Sequence, residues 1–288
     1  MKKCAFLTLD ETGDFVIDDE HAIKPLAELG WEVSTLSWRQ RHQAWNDFDI
    51  VVIRSTWDYW NDVPQFLETL ERIDAETRLA NRIELVRWNL VKTYMKDLED
   101  GGIGIVPTLW ADSPAPSSFA GFQEQLGTGN IVIKPIVGAN GDDAYWITPA
   151  DTSERLEQIA ARFPDRKCMI QPFMPSVLDE GEYSLFFFNG QYSHAILKTP
   201  AGSEFRSQEE HGGVIRSAQP EDRLLARAHQ AIGTLSPAPL YARIDFVRNE
   251  AGDFLVMELE LIEPSMYLRM DSQAPIRFAA AINDWACS

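Results

Sequence analysis

Residues 48–56, FDIVVIRST, contain four consecutive apolar residues, Ile50 to Ile53, with no polar break. A strand with water on one face alternates in polarity. An unbroken run needs cover on both faces, as in a parallel sheet between layers of helix. The surrounding segments supply that setting. KKCAFLTLD (2–10) reads as a second buried strand, and DDEHAIKPLAELG (18–30) as a helix with an acidic start and Gly30 as its stop. WEVSTLSW (31–38) alternates as a strand, and VPQFLETLERIDA (63–75) is an amphipathic helix with Pro64 in its first turn. Strand, helix, strand, strand, helix at these spacings predicts a small α/β sheet of Rossmann-like topology. A dinucleotide site is excluded, because the glycines of GGIGIVP (101–107) run into Val106 and Pro107 where the fingerprint needs a further glycine.

The texture changes after residue 84. LVRWNLVKTYMKDLEDGG (85–102) reads as one helix, with Asn89 as N-cap and the glycine pair as its end. Residues 106–127 read as a Pro/Ser-rich loop and a short helix, 130–147 as strand, loop, strand, 153–163 as a helix, and 167–175 as a strand entering a proline-bounded turn. Residues 182–200 read as a hairpin turning at Asn189-Gly190, the type I′ signal, 221–235 as a helix, and 241–264 as a second hairpin turning at 249–253. The expected organisation is α/β (α+β), with an N-terminal unit over 1–84, a central unit over 85–170 and a C-terminal unit over 171–288.

A formal charge of −18 and a pI near 4.6 argue against a nucleic-acid partner, which requires clustered lysine and arginine. They leave room for an anionic small molecule held by local positive groups or a metal. Three widely spaced cysteines form no CxxC pair, so neither a disulfide framework nor a zinc site is expected. No apolar run is long enough to span a membrane, none resembles a signal peptide, and a cytoplasmic location is the expectation. Five histidines form neither an HxxxH pair nor a Ser–His–Asp arrangement, which turns attention away from a histidine base.

Chemistry concentrates in a few stretches. In the second hairpin Arg243 and Asp245 share one face of their strand, and Glu258 and Glu260 share one face of the next. Met257, Leu259 and Leu261 then form the packed side. Three carboxylates on one patch of sheet suit Mg²⁺ or Mn²⁺, and a solvated face with a surface ion pair is the plainer alternative. Glu263 falls on the apolar side by parity unless Pro264 ends the strand, and its role stays open. Lys134 emerges from an apolar strand beside Gly138 and Gly141, a plausible phosphate clamp but not a GK[ST] loop. Gln171 and Phe173, in IQPFMP, could present backbone groups and an apolar face to a flat base. The stretch 204–216 carries Arg206, His211, Gly212, Gly213 and Arg216, and reads as a loop able to close over an anion or as an exposed polar loop. Arg54, Trp57, Asp58 and Tyr59 follow the buried strand, where α/β sheets bind ligands. Arg54 could clamp a substrate carboxylate there, or the aromatics could pack a domain interface. Lys92, alone, reads as a solvated helical lysine.

Taken in order, Lys92, VIKP with its glycine loop, IQPF, GEYSLFFFNG, and ARIDFV followed by LVMELELIEPS resemble the ATP-grasp superfamily, especially its glutathione-synthetase-like and D-alanine-ligase-like carboxylate–amine ligases. The most specific part is ARIDF with acidic residues thirteen and fifteen positions after Asp245. RSTWDYW, RWNLVKTYM and ELELIEPSMYL also look like the cyclo-ligases that close O-ureido-D-serine to D-cycloserine. The resemblance implies an ATP-grasp fold with a Rossmann-like N-terminal substrate domain. It implies that Lys92 and Lys134 hold ATP phosphates, that the Gly138–Gly141 loop covers them, that Gln171 and Phe173 line an adenine slot, and that Glu182 reaches the ribose or the substrate. Asp245, Glu258 and Glu260 would hold Mg²⁺ (or Mn²⁺), and Arg243 would steady the transferring phosphoryl group. Arg216 joins Arg243 and Lys134 as a catalytic candidate, and Arg54, Trp57, Asp58, Arg206, Gly212 and Gly213 are the substrate-side candidates. Two departures stand out: the family carries Asn where this chain has Glu260, and Asp142 and Asp143 follow the glycine loop, where acidic groups would repel phosphate.

The implied activity is ATP-dependent activation of a carboxylate as an acyl phosphate, then capture by an amine, either between molecules or as cyclisation of one amino-acid-like substrate. No nucleic acid or membrane partner is implied, and the family's dimers and tetramers make a homo-oligomer one expectation. Two rivals are a nucleotide-binding module without ligase activity and a hydrolase using Glu258 and Glu260 as acid and base. Neighbours at period two point in parallel and do not flank a bond, which weighs against the hydrolase.

Overall fold

The computed structural model describes residues 1–13, 15–202 and 204–287. In the N-terminal part, β1 (Lys2–Thr8), α1 (Ile23–Glu28), β2 (Trp31–Ser37), β3 (Ile50–Ser55), α2 (Val63–Glu76) and β4 (Leu79–Ala80) build a parallel sheet in the order β2-β1-β3-β4. Every residue of β3 is buried. Its alternate residues serve two cores: Ile50 and Val52 pack with Leu26 of α1 and the C-terminal helix, and Val51 and Ile53 pack with Phe66 and Leu70 of α2. That division is the physical reason for the unbroken apolar run. Asp62 caps α2, accepting from Gln65 N at 3.2 Å, with Pro64 in the first turn as expected.

The segment read as one helix over 85–102 is two, α3 (Ile83–Asn89) and α4 (Tyr94–Asp100). Asn89 ends α3 instead of capping a start. Its amide donates to Leu259 O at 2.9 Å and accepts from Leu261 N at 2.8 Å. The break places Lys92 in the connection, where its backbone N–H donates to Ile136 O at 2.8 Å.

The central sheet is antiparallel, in the order β5-β8-β6-β7, from β5 (Leu109–Asp112), β6 (Ile131–Pro135), β7 (Tyr145–Ile147) and β8 (Lys167–Pro172). The helices α5 (Phe119–Leu126) and α6 (Ser153–Ala160) supply its apolar cover. β5 falls where the sequence predicts a loop, because LWAD pairs antiparallel with residues 167–170 of β8. After α7 (Ser176–Asp179) comes the third sheet, in the order β11-β10-β9-β12-β13: β9 (Glu182–Phe188), β10 (Gln191–Thr199), β11 (Val214–Ala218), β12 (Tyr241–Arg248) and β13 (Phe254–Glu260). The β9–β10 turn has Asn189 and Gly190 at φ +47° and +72°, the double left-handed geometry of a type I′ turn. α8 (Asp222–Gly233) packs on this sheet with α4, and α9 (Ala274–Cys287), which no sequence signal marked, packs against β1, β3 and β9.

β13 is an edge strand, and unpaired backbone at an edge needs cover. Val256 N donates to Gly104 O at 2.9 Å, Val106 N donates to Val256 O at 3.0 Å, and Leu259 N donates to the Tyr94 hydroxyl at 3.0 Å. Buried Asn81 donates to Tyr241 O and Leu261 O at 2.9 and 2.8 Å and accepts from Leu240 N at 2.6 Å. The Tyr241 hydroxyl lies 2.8 Å from both Ile53 O and Ile262 O. Side chains from α3, α4 and the residue after β4, with backbone groups of residues 104 and 106, therefore fix the strand that carries Glu258 and Glu260 and the segment that follows it. The parity expected for this strand holds for Leu259 and Leu261 but not for Met257. A bulge opposite Asp245–Phe246 inserts Met257 as an extra residue and turns it into the cleft described below.

His194 of β10 is 4% exposed, stacked on Phe186 at 4.3 Å, with Nε2 3.0 Å from Met266 O. Burial pushes its pKa down to about 4 from 6.5. The unfolded chain thus binds a proton between these values that the fold refuses. This part of the stability is complete above pH 6.5 and is lost as pH falls toward 4, by about 3 kcal/mol in all. Denaturant unfolding of wild type and His194→Gln at pH 7.5 and 4.5 checks this: the variant should show a loss on acidification smaller by up to that amount.

Candidate active site

Register decides which polar side chains meet on the third sheet. Glu182 lies opposite Lys198, Asp245 lies between Ser184 and Glu258, and Arg243 lies opposite Glu260. Residues directly opposite share a face, so four strands deliver two cations and four carboxylates to one surface. Lys198 Nζ is 2.9 Å from Asp245 Oδ2 and also ion-pairs with Glu182. Arg243 forks onto Asp245, with Nε and Nη2 each 3.0 Å from a carboxylate oxygen, and Nη2 also pairs with Glu260. Lys198 and Asp245 are each 2% exposed. Burial alone would raise Asp245, but Arg243 and Lys198 outweigh it and hold the carboxyl well below the ordinary carboxylate range. Glu182 goes the other way: burial raises it, with Asp245 adding to the effect and Lys198 opposing.

The opposite wall comes from β6, where Ile131 and Ile133 enter the central core while Val132 and Lys134 face the cleft. Lys134 has no ion-pair partner among the described residues. Burial lowers its pKa, with Glu258 opposing and Lys92 reinforcing the fall. Lys92 pairs with Glu258, and that contact, with Glu260 and Glu263 behind it, overcomes burial and raises the ammonium pKa. An unpaired ammonium beside a paired one has charge available for an anion. At one end of the cleft are Gln171, Phe173 and Met174. The Gln171 amide donates to Thr108 Oγ at 3.0 Å, and Phe173 stacks on Trp146 with ring centroids 4.1 Å apart. Toward the first sheet are Trp57, Tyr59, Glu263, Ser265 and Tyr267. Burial and repulsion by neighbouring carboxylates push Glu260 up to about 7 and Glu263 up to about 8.

The roof joins all three sheets. Asn140, in the glycine loop, donates to Trp57 O at 3.3 Å, and its own carbonyl lies 3.2 Å from His211 Nε2. Gly141, at φ +69°, leaves room for Arg206 and Gln208 where a Cβ would stand 3.2 and 3.4 Å from their side chains. Asp143 does not face the cleft: Arg162, Arg166 and the Tyr145 hydroxyl hold it at 2.7–3.1 Å on the outer side. Asp142 does line the cleft.

Lys92, Lys134, Gly138, Gly141, Gln171, Phe173, Glu182, Arg206, Arg243, Asp245, Glu258, Glu260 and Trp57 all line this cleft. Others do not. Arg54 is 1% exposed and cannot serve as the substrate clamp expected of it. Its Nε pairs with Asp19 at 2.9 Å, its Nη2 donates to Pro264 O at 3.1 Å, and it lies over the rings of Tyr241 and Phe278. Asp58 is turned away to accept from Trp38 Nε1 at 2.8 Å and to pair with Arg39. Arg216 is exposed on β11 outside the cleft. Gly212 and Gly213 shape the loop and do not line the cleft; a Cβ on Gly213 would come 2.1 Å from Ser207 O. Glu263 escapes the strand parity because β13 ends at Glu260. Among the described residues no three carboxylate, histidine or cysteine groups form a ready-made metal cage, since the acidic groups turn to lysine and arginine.

Lys198 carried no sequence signal of its role. Counting back from the Asn189-Gly190 turn pairs Glu182 with Leu197, and only the irregularity between Tyr192 and His194 shifts the register to Lys198.

Two family models match the chain: the N-terminal domain of D-cycloserine synthetase DcsG over residues 4–81, and the ATP-grasp domain of prokaryotic glutathione synthetase over 113–250. The chain is 30% identical to the cycloserine biosynthesis protein DcsG of Streptomyces lavendulae, over 91% of this chain and 93% of that protein. It is 25% identical to the glutathione synthetase of Bradyrhizobium diazoefficiens, over 78% of this chain and 68% of the relative. The crystal structure of D-cycloserine synthetase DcsG superposes with a TM-score of 0.87 at 27% identity, covering 99% of each chain. The D-alanine–D-alanine ligase of Bacillus anthracis shares the fold, with a TM-score of 0.69 at 14% identity over 100% of this chain and 98% of the ligase.

Removing the Lys198 ammonium leaves Glu182 and Asp245 buried with one countercharge fewer. Breaking a buried pair in this way costs about 3–5 kcal/mol. Lys198→Met is expected to lose that amount in urea unfolding at neutral pH.

Proposed function

The chain belongs to the ATP-grasp family of ATP-dependent carbon–nitrogen ligases, and we propose that within it the protein activates the carboxylate of a small amino-acid-like substrate as an acyl phosphate and closes it onto a nitrogen of the same molecule. One observation supports this most directly: unpaired Lys134 and paired Lys92 face Arg243, Asp245, Glu258 and Glu260 across a single cleft. Likeness over nearly its whole length to D-cycloserine synthetase favours cyclisation, with O-ureido-D-serine as the candidate substrate.

In this reading the phosphates of ATP lie against Lys134 and Lys92 under the glycine loop, with the base toward Gln171 and Phe173. A substrate carboxylate oxygen attacks the γ-phosphorus, the bond to the β–γ bridging oxygen breaks, and ADP leaves. The oxygen-bound N–H of the ureido group then attacks the acyl carbon, the bond to the phosphate oxygen breaks, and the nitrogen gives up its proton as phosphate departs; water cleaves the carbamoyl group from that nitrogen, releasing carbon dioxide and ammonia, and the α-amino group takes no part in bond making. Catalysis is mainly positioning and charge compensation. Arg243, held by Asp245 and Glu260, presents its guanidinium where negative charge grows. The donor set fits Mg²⁺. Asp245, Glu258 and Glu260 offer only oxygens, Glu260 is pushed up to about 7 by the acidic excess around it, and Mg²⁺ needs one or two carboxylates when phosphates supply the rest. Bound there it would neutralise phosphate charge. Acyl phosphates hydrolyse, so the Trp57–Asn140–His211 roof is assigned to excluding water.

The test is ADP release with Mg²⁺ and O-ureido-D-serine, with the product identified by mass. Lys134→Ala should lower kcat/KM for ATP roughly 10- to 100-fold, the loss of one charge-assisted contact. Glu258→Gln should remove most Mg²⁺-dependent turnover. Full turnover in that variant takes Glu258 out of the metal role, and no ADP release by wild type from this substrate or from carboxylate and amine pools rejects the ligase reading.

A further inference from the structure

The acidic groups of the cleft are not equivalent. Asp245 is paired with Arg243 and Lys198, Glu182 with Lys198, Glu258 with Lys92, and Glu260 with Arg243. Glu263 lines the same cleft, and its carboxylate has no lysine, arginine or histidine at ion-pair distance among the described residues. Its backbone is nonetheless held firmly. Three successive carbonyls are bonded: Glu263 O accepts from Trp57 Nε1 at 2.8 Å, Pro264 O from Arg54 Nη2 at 3.1 Å, and Ser265 O from Arg243 Nη1 at 3.4 Å. A carboxylate fixed in a partly dry cleft without a countercharge is costly unless a ligand brings one.

The position also separates Glu263 from the phosphate lysines' neighbour Glu258. It sits toward the wall made by the first sheet, where Trp57 Nε1 holds its carbonyl; burial raises the Tyr59 phenol pKa, and the Glu263 carboxyl adds to the rise. Trp57 and Tyr59, 8% and 4% exposed, put aromatic rings beside it, a setting that favours an organic cation. We propose that Glu263 is the countercharge for the ammonium group of the substrate, and so the residue that selects an α-amino acid over the corresponding acid without the amine. This rests on the ligase reading for the identity of the substrate, with Arg243 a short distance along the same clamp to receive the carboxylate end.

Calorimetry of the whole chain with a non-hydrolysable ATP analogue, Mg²⁺ and two probes tests it without turnover. The probes are O-ureido-D-serine and 3-(ureidooxy)propanoate, which lacks only the α-amino group. Wild type should prefer the amino probe roughly 10- to 100-fold, the range of one charge-assisted contact. Glu263→Gln should erase the preference while binding the ATP analogue unchanged, which also shows that the variant is folded. Glu263→Asp, which keeps the charge on a shorter arm, should retain part of it. A wild type that does not prefer the amino probe, including one that binds neither, overturns the proposal. So does a Gln variant that keeps the preference, or one that instead loses nucleotide or Mg²⁺ affinity. ADP release measured in parallel with ATP in place of the analogue judges the ligase reading separately: discrimination in the calorimeter without ADP release from ATP keeps the role of Glu263 and rejects the ligase.

Discussion

Asp245 is the charge on which the cleft is arranged. A carboxylate this deeply buried is tolerated only with compensation, and Arg243 and Lys198 supply it from the same strand and from β10. Each cation then has charge left to share: Arg243 reaches Glu260 and Lys198 reaches Glu182. The network spans β9, β10, β12 and β13, so the order of the third sheet and the polar geometry of the cleft are one constraint. A slip of one residue on any of these strands would send its charge into the apolar core on the other face. Two irregularities, at Tyr192–His194 and opposite Asp245–Phe246, set the phase that brings the charges together.

The same sheet is tied to the rest of the chain by neutral groups. Asn81, Asn89, Tyr94 and Tyr241 satisfy the backbone of β13 and the segment after it with side chains from distant parts of the sequence. Arg54 belongs with them. It lies between the parallel sheet and the aromatic rings of Tyr241 and Phe278, and its hydrogen bond to Pro264 O holds the backbone that borders the cleft. Rigidity of the carboxylate strand and openness of the facing lysine wall are complementary: one side is fixed by bonds within the protein, and Lys134 on the other has no ion-pair partner among the described residues.

Much of this was legible in the residues, and the failures have physical causes. Parity within one strand is local, so the shared faces of Arg243 with Asp245 and of Glu258 with Glu260 were readable, as were the type I′ turn and the doubly covered β3. Bulges are not local in that sense. Strand parity puts Met257 on the packed side and gives no sign of Lys198, because each lies near a register shift that sequence periodicity does not carry. The place of Arg54 at a strand end suggests a ligand clamp, but its partners Asp19, Pro264, Tyr241 and Phe278 come together only when the C-terminal helix folds back onto the first sheet. Arg216 and Asp58 show the same limit: a charged residue in a plausible stretch says nothing of which way the chain turns. The helix break at 90–93 was masked by good helix formers on both sides, and it is the pull of Ile136 O on the Lys92 backbone and of β13 on Asn89 that decides it.

The central claim is that the substrate carboxylate, positioned between the lysine wall and Arg243, takes the γ-phosphoryl group of ATP before the new carbon–nitrogen bond forms. Turnover of O-ureido-D-serine labelled with ¹⁸O in its carboxylate tests this directly. The account predicts that one labelled oxygen leaves with the inorganic phosphate, detected by mass. Phosphate released without label, while ADP and the cyclised product accumulate, would contradict it.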